Sequence, residues 1–203
     1  MIRIRELRKK DYQKACDFAQ VGMHFEWFVK NKFLLKLYTK SFWYEELNQA
    51  TRAYGAYIGD RFVGVLLAEV KGEPKRYYSK LQSAYIRIVK LIEKIFAGGA
   101  EDPYDLANQR MYRSYCKNNS PDVQICFLAA DPNCKIRGIG SKLLSALESD
   151  LAGKQIYLYT DNSCTYQFYE KRGFTREENR DILIKYGKKE IPLQCFLYSK
   201  KLD

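Results

Sequence analysis

One short basic segment of this chain has the residue types needed to bind a phosphate group. It reads Lys135-Ile136-Arg137-Gly138-Ile139-Gly140-Ser141. An apolar stretch typical of a strand precedes it and an amphipathic, helix-like stretch follows, so we expect the segment to open a helix. The first N–H groups of a helix have no internal partner, and the helix dipole adds partial positive charge there. Together with the side chains of Lys135 and Arg137, these N–H groups predict a phosphate or pyrophosphate site.

The glycines of this segment, Gly138 and Gly140, help to decide which phosphate ligand it suits. They leave the backbone open to close approach by a ligand. The nucleoside-triphosphate loop G-x-x-x-x-G-K-[ST] is absent from the chain, and a dinucleotide-binding turn has three glycines and usually stands early in a βαβ unit. For this segment taken alone, an ordinary strand-to-helix turn remains the alternative to a binding loop.

A second suggestive segment runs from Gln155 to Phe174. Its first residues alternate Ile and Leu with Tyr, which is the period of a strand. Asn162 or Ser163 then has the right side chain to cap a helix. We expect that helix to run to about Arg172 and to end at Gly173, because glycine is favoured just after a helix.

The two segments together resemble the GNAT superfamily of acyl-CoA-dependent N-acyltransferases. The first is similar to that family's pyrophosphate-binding loop, [Gln/Arg/Lys]-x-x-Gly-x-[Gly/Ala] after a strand, with Lys135 where the family more often has Gln or Arg. In the second, Asn162, Tyr169 and the Gly173-Phe174 pair match the family's spacing. A strand-helix repeat imitates either piece but seldom both in this order, so the joint match identifies the family.

The resemblance implies an α/β (α+β) fold with a central mixed, twisted sheet flanked by helices. We expect one domain over residues 1–203, since this length suits a single domain. Periodicity predicts a strand, two helices and two strands, followed by strand-helix-strand-helix-strand-strand. The turn at Gly59-Asp60 is typical of a tight hairpin between strands Arg52–Ile58 and Arg61–Val70.

About fifty residues, 71–121, separate the third and fourth predicted strands, which is too long for a structureless loop in a compact domain. We expect a helical insertion there, in the form of a hairpin. Its second helix begins at Asp102-Pro103, a cap followed by a proline. The first helix, within Tyr77–Phe96, carries an apolar stripe. The stripe consists of Leu81, Tyr85, Ile88, Ile92 and Ile95.

Three interpretations of that stripe remain open. Apolar residues at helical spacing usually pack against the rest of the domain. The stripe could instead cover the acceptor site as a lid or form the surface of a homodimer. Because Lys80, Arg87, Lys90 and Lys94 lie off the stripe, the helix could also rest on a membrane surface.

Composition narrows the function classes. The net charge is +11, which suits a phosphate-bearing cosubstrate and an acidic acceptor. The basic residues are dispersed, so we do not expect nucleic-acid binding as the principal function. Six scattered cysteines and the single histidine, His24, argue against a metal site. Free thiols and the absence of a long apolar run predict a cytoplasmic protein without a membrane span.

The resemblance also implies where the cosubstrate, acetyl-CoA, is held. The pyrophosphate would lie on Lys135 to Ser141. A bulge in the fourth strand would offer backbone N–H groups to the thioester oxygen, at positions that map to Leu128, Ala129 and Ala130. Asn162 would contact the pantetheine arm, although it could simply be a helix cap.

The catalytic groups follow less directly. The resemblance makes Tyr169 the general acid, because a phenol has a proton to give near neutral pH. Some family members carry a basic Glu in the fourth strand, where this chain has Gln124, which cannot accept a proton usefully. Glu69, acting directly or through a water, is one alternative base. His24 and Glu26 are others, since their region lines the acceptor side in the resembled fold.

The sequence therefore predicts an N-acetyltransferase that moves an acetyl group from acetyl-CoA to an amine by direct attack, without a covalent enzyme intermediate. The acceptor is a small-molecule or peptide amine that the sequence does not identify. A non-catalytic acyl-CoA-binding or protein-interaction module is the alternative, favoured by Gln124 in place of the strand carboxylate. A homodimer also remains open.

Overall fold

The computed structural model describes residues 1–96, 102–186 and 189–203. Within them the strands are β1 (Ile2–Glu6), β2 (Arg52–Ile58), β3 (Arg61–Val70), β4 (Val123–Ala130), β5 (Gln155–Asp161), β6 (Thr175–Tyr186) and β7 (Lys189–Lys201). The helices are α1 (Tyr12–Gly22), α2 (Phe25–Phe28), α3 (Lys32–Gln49), α4 (Lys80–Phe96), α5 (Pro103–Tyr115), α6 (Ile139–Asp150) and α7 (Gln167–Glu170).

The strands form a 7-stranded sheet in the order β1-β2-β3-β4-β5-β7-β6. Neighbouring strands are antiparallel except β4 and β5, which run parallel. The predicted hairpin is present: Ile58 pairs with Arg61 across a turn in which Gly59 has φ of 60°. A mixed sheet flanked by helices is thus confirmed.

Helices cover both faces of the sheet. On one face α6 buries Leu143, Leu144 and Leu147 against strand residues such as Ile125 and Ile156. On the other face the main contacts come from α1 and α3. The buried residues there include Phe18, Trp43, Leu47, Val65 and Phe127. The central strands β3 and β4 are therefore held from both sides by apolar burial, the dominant favourable term in folding.

The start of α3 shows how local sequence fixes an element. Asn31 caps the helix, because its side-chain oxygen accepts hydrogen bonds from the N–H groups of Phe33 and Leu34. Along the helix, Leu35, Trp43 and Leu47 are buried on the side that faces the core. This orientation leaves its opposite side for α4.

Two helices, α4 and α5, occupy the segment predicted as an insertion. Helix α4 packs on α3, where the rings of Tyr44 and Tyr85 meet at 5.4 Å. Helix α5 packs on the β5–β7 part of the sheet and buries Ala107 and Met111 there. Residues 97–101, which would connect the expected hairpin, lie outside the described part of the chain.

The predicted apolar stripe of α4 does not pack as a unit. Leu81 and Ile88 are 84% and 61% exposed, whereas Val89 is buried. The rotation of α4 is set by Asn48, whose side chain bonds Ser83 Oγ and accepts from the N–H of Ser79. Of the three interpretations of the stripe, packing against the domain therefore does not hold for Leu81 and Ile88. No helix in the described residues is both long enough and apolar enough to span a membrane.

Candidate functional site

The parallel strands β4 and β5 separate partway along their length. Within the described residues they pair only at Val123–Ile156, Gln124–Tyr157 and Ile125–Leu158. Both strands continue beyond the last pair, β4 to Ala130 and β5 to Asp161. The sheet therefore opens between them, with the narrow end of the opening at Ile125 and Leu158.

A β-bulge lies at the narrow end of this opening. Ala68 on β3 pairs with Ile125 and its neighbour Leu67 pairs with Phe127, so Cys126 is the extra residue. A bulge bends its strand and increases the local twist. The bend falls one residue after β4 stops pairing with β5, which accounts for the divergence of the two strands.

Backbone alternation determines which N–H groups of β4 face the opening. Asp131 donates its N–H to Val63 of β3 at 2.8 Å. In an antiparallel pair, successive residues direct their N–H groups to alternate sides. The N–H groups of Leu128 and Ala130 therefore point away from β3 and toward the opening, whereas that of Ala129 points at β3.

The predicted phosphate loop connects β4 to α6. Asp131 anchors its start, since this buried carboxylate accepts hydrogen bonds from Arg61 Nη2 and from the N–H of Asn133, both at 2.9 Å. Gly138 is the N-cap of α6 with φ of 85°, a backbone conformation that favours glycine. The N–H groups of Ile139, Gly140 and Ser141 follow as the first, internally unpaired donors of the helix.

The side chains of the loop differ in what they can offer a ligand. Lys135 and Arg137 are exposed, and Ile136 is about half exposed. Ile139 is buried, and its Cγ2 would lie 2.5 Å from a Cβ on Gly64. Ile139 can therefore contribute only its backbone to a phosphate site, while the two basic side chains are free to reach a ligand.

Arg172 also lies at this loop. Its guanidinium stacks on the Phe168 ring, 3.6 Å from the ring centroid, and donates to the Phe168 carbonyl at 2.8 Å. Its Nη2 donates to Ser141 Oγ in the first turn of α6. Sequence reasoning placed Arg172 only at the end of a helix and missed this contact. Its position directly before the Gly-Phe pair was the available indication.

The helix predicted from Asn162 to Arg172 is shorter than expected. Only Gln167–Glu170 is α-helical, and Tyr166 occupies its N-cap position. Asn162 is not a helix cap, because its Oδ1 accepts from the N–H of Gln194 and its own N–H donates to the Gln194 carbonyl. Asn162 is thus fixed to β7 directly after β5 ends, beside the wide end of the opening.

Tyr169 projects into the face of the sheet that α6 covers. Its ring packs against those of Phe168, Phe174 and Tyr198. Burial, with a smaller contribution from Cys164, raises the pKa of the Tyr169 phenol. The phenol therefore keeps its proton at neutral pH, as a proton donor must.

The opposite face at the narrow end carries polar side chains. Gln124 is paired with Glu69 across β3 and β4, and its Oε1 accepts a 2.7 Å hydrogen bond from the Tyr157 hydroxyl. Glu69 lies 3.1 Å from Lys75 Nζ and remains partly exposed. The carboxylate that this chain lacks at position 124 is thus present one strand away.

Glu46 is a second carboxyl in this region, and sequence reasoning missed it. Burial, then the nearby carboxylates of Glu45, Asp105 and Glu69, raise the pKa of Glu46 to about 8. Glu46 and Glu69 both raise the pKa of the bulge residue Cys126, after burial itself. The charges of Glu46 and Glu69 thus act on the same residue of the bulge, and the Cys126 thiol stays protonated.

His24 and Glu26 lie near the far end of the opening. Gly22, just before them, has its carbonyl 4.0 Å from the Cys164 sulfur, and Cys164 follows β5. His24 has a left-handed backbone with φ of 52°, and its ring stacks on Trp27 at 4.2 Å. Its Nδ1 is 3.8 Å from Glu26 Oε1. The contact between Gly22 and Cys164 therefore ties the segment just before this pair to the segment just after β5.

The described residues contain no group of three or more His, Cys, Asp or Glu side chains arranged to hold a metal ion. The site is defined by other features: a sheet that opens between two parallel strands, unpaired N–H groups along β4, and a basic helix start at its end. The opening therefore offers hydrogen-bond donors along β4 and positive charge at the start of α6.

The chain belongs to the acetyltransferase (GNAT) family, whose model matches residues 3–174. No curated protein matches the chain. The family membership makes this protein an acyltransferase by class.

Solved structures of acetyltransferases share the fold. A putative arylalkylamine N-acetyltransferase 7 from the yellow fever mosquito has a TM-score of 0.61 and 15% identity, covering 100% of this chain and 88% of the other. A structure described as histone acetyltransferase HPA2 and related acetyltransferase, from Corynebacterium glutamicum, has a TM-score of 0.59 and 15% identity. The match covers 97% of this chain and 94% of the other. The ribosomal-protein-S18-alanine N-acetyltransferase from Escherichia coli has a TM-score of 0.56 and 12% identity. The match covers 100% of this chain and 95% of the other. At these identities the similarity shows that the fold is shared and nothing more.

Proposed function

We propose that this protein is an N-acetyltransferase that moves an acetyl group from acetyl-CoA to an amine by direct attack. The observation that carries the proposal is the opening between β4 and β5, which leads to the glycine-containing start of α6. Because an amine is itself a good nucleophile, no covalent enzyme intermediate is required.

The residues around the opening fit acetyl-CoA. The N–H groups of Leu128 and Ala130 face the opening and can bind the pantetheine arm, while the small side chains of Ala129 and Ala130 leave room along the strand. The first turn of α6 offers N–H groups and a helix dipole to the diphosphate. The thioester of the bound cosubstrate supplies the activated acyl group.

The leaving thiolate needs a proton, and Tyr169 is the proposed donor. Its phenol is protonated at neutral pH because burial raises its pKa. It lies on the α6 side of the sheet, whereas the carboxyl groups lie on the α3 side. The acid and the base would therefore act from opposite faces of the opening.

The attacking amine must be neutral, and we propose that Glu69 and Glu46 remove its proton. Glu69 is one of the alternative bases named from the sequence, beside His24 and Glu26, and Glu46 is a further candidate suggested by its raised pKa. A general base works best when its pKa lies near the operating pH, and the pKa of Glu46 is raised to about 8. Glu69 pairs with Gln124 next to the bulge, and the charges of Glu69 and Glu46 both act on the Cys126 thiol.

The acceptor is a small-molecule or peptide amine. The similar structures are named for an arylalkylamine, a histone and the alanine of a ribosomal protein as acceptors, so this fold suits amine acceptors of very different size. His24 and Glu26 are proposed to line the acceptor side, because the contact between Gly22 and Cys164 ties the segment just before them to the segment just after β5.

A non-catalytic acyl-CoA-binding module is the second candidate. It is favoured by one observation: the position of the strand carboxylate is held by Gln124, and the Tyr157 hydroxyl occupies its Oε1. Under this alternative the protein would bind the same cosubstrate and fail to transfer its acyl group.

The test follows free thiol release from acetyl-CoA against arylalkylamines, polyamines and peptides with free N-termini or lysines. We expect acceptor-dependent thiol release that is lost in a Glu46→Gln, Glu69→Gln double variant. Acetyl-CoA binding without release on any amine would support the module. Release that survives in the double variant would remove both carboxyls from the mechanism.

A further inference from the structure

Arg172 is held rigidly where a phosphate group would bind. Three contacts fix its guanidinium: the stack on the Phe168 ring at 3.6 Å, the 2.8 Å bond to the Phe168 carbonyl, and the bond to Ser141 Oγ. Phe168 is itself packed on the helix start, since its ring would lie 3.2 Å from a Cβ on Gly140. The cation therefore stays beside the free N–H groups of α6.

The charge of Arg172 has no counter-ion among the described residues. Within the described residues no carboxylate oxygen lies within 4.0 Å of its guanidinium, although five other arginines, some of them more exposed, form ion pairs. These pairs are Arg8–Asp11, Arg52–Glu73, Arg61–Asp131, Arg176–Glu170 and Arg180–Glu178. Arg172 has hydrogen-bond partners but no carboxylate partner among the described residues, so its positive charge at the helix start can be neutralised by an anion.

We propose that Arg172 binds a phosphate group of the acyl donor and makes the enzyme selective for CoA thioesters over phosphate-free pantetheine thioesters. The inference rests on the proposed function. Lys135 and Arg137 lie on an exposed loop and must lose side-chain freedom to bind. Arg172 is already ordered, and its guanidinium can form two parallel bonds to one phosphate.

The inference makes a quantitative expectation about binding. A hydrogen bond to a charged group contributes enough that its loss weakens binding by about 10- to 100-fold. Arg172→Gln should therefore raise the Kd of CoA by that factor and leave the Kd of pantetheine unchanged. Arg172→Lys keeps the charge but lacks the planar guanidinium, so its Kd for CoA should lie between those of the wild type and Arg172→Gln.

The test is calorimetric binding of CoA, 3′-dephospho-CoA and pantetheine to the full chain and its variants. Lys171→Gln is the matched control: it removes the same charge one residue away, from an exposed side chain, and should leave all three affinities unchanged. An equal loss for CoA and 3′-dephospho-CoA in Arg172→Gln would assign Arg172 to the diphosphate. A loss confined to CoA would assign it to the 3′-phosphate.

Other results would overturn the inference. An unchanged Kd for CoA in Arg172→Gln, or an equal loss for CoA and pantetheine, would show that Arg172 does not recognise phosphate. If circular dichroism shows that Arg172→Gln is unfolded, the comparison of Arg172→Lys with Lys171→Gln replaces it. Wild-type affinity for CoA in Arg172→Lys would then contradict the need for the planar guanidinium. Absence of CoA binding by the wild-type protein would instead refute the proposed function.

Discussion

The hydroxyl of Tyr157 on β5 donates a 2.7 Å hydrogen bond to Oε1 of Gln124 on β4, one residue before Ile125–Leu158, the last pair that joins the two strands. The bond fixes the Gln124 side chain and occupies its acceptor oxygen. The Tyr157 hydroxyl therefore has a hydrogen-bond acceptor without a carboxylate at position 124. The groups able to accept a proton, Glu69 and Glu46, come from the neighbouring β3 and from α3.

The backbone of Gly138 gives a direct test of the phosphate loop. Its φ of 85° and that of Gly153, which is 79°, are both left-handed, and a Cβ at either position would meet no neighbour. Alanine at each should cost about 1–2 kcal/mol of backbone strain. We expect Gly138→Ala to weaken acetyl-CoA binding roughly tenfold, measured by calorimetry, while Gly153→Ala at the other end of α6 only lowers stability. Equal affinities in both variants would contradict the loop assignment.

Removing the Tyr169 hydroxyl should separate catalysis from binding. We expect Tyr169→Phe to lower kcat by on the order of 10²-fold, as the loss of a general acid does, with little change in the Kd of acetyl-CoA. Tyr198→Phe is the control, because its ring lies 6.4 Å from that of Tyr169 and its hydroxyl bonds Glu170 instead. It should lower stability and spare kcat. An unaltered kcat in Tyr169→Phe would exclude Tyr169 as the acid.

The raised pKa of Glu46 predicts a pH-dependent stability. The unfolded carboxyl titrates near its ordinary value of 4.5 and the folded one at about 8. Between these values the native state holds a proton that the unfolded state has released, so stability falls as pH rises. Glu46→Gln should remove this fall. In urea titrations its advantage over wild type should grow from about pH 5 to pH 8 and then level off. A constant difference across that range would show that Glu46 titrates normally.

The rotation of α4 can be tested with two substitutions on one helix. Val89 is 4% exposed and Leu81 is 84% exposed. We expect Val89→Ala to lower the free energy of unfolding by about 1–3 kcal/mol, because it leaves a cavity. Leu81→Ala should change it by less than about 0.5 kcal/mol. Thermal unfolding of both variants is the measurement, and a larger loss for Leu81→Ala would mean that the predicted stripe does face the protein.

Much of the fold follows from local residue patterns. The β2–β3 hairpin was predicted to the residue, because Gly59-Asp60 separates two strong strand patterns. The start of α6 was also predicted, since glycine and basic residues follow an apolar strand. The family followed from Asn162, Tyr169 and the Gly173-Phe174 pair, whose spacing reflects one strand-to-helix unit.

The remaining features depend on contacts between distant residues. The orientation of α4 is set by Asn48, which belongs to another helix. The short α7 results from the attachment of Asn162 to β7, which replaces the expected cap. Glu46 and Arg172 became candidates only when folding brought them beside Glu69 and Ser141. A periodicity argument has no access to such pairs, because it considers one element at a time.

The central claim is that the opening between β4 and β5 binds an acyl-CoA through the loop from Lys135 to Ser141. Calorimetric titration of the wild-type protein with acetyl-CoA tests it most directly. The account predicts saturable binding of one acetyl-CoA per chain, weakened by inorganic pyrophosphate as a competitor. Absence of binding would contradict the assignment of the loop and, with it, the proposed function.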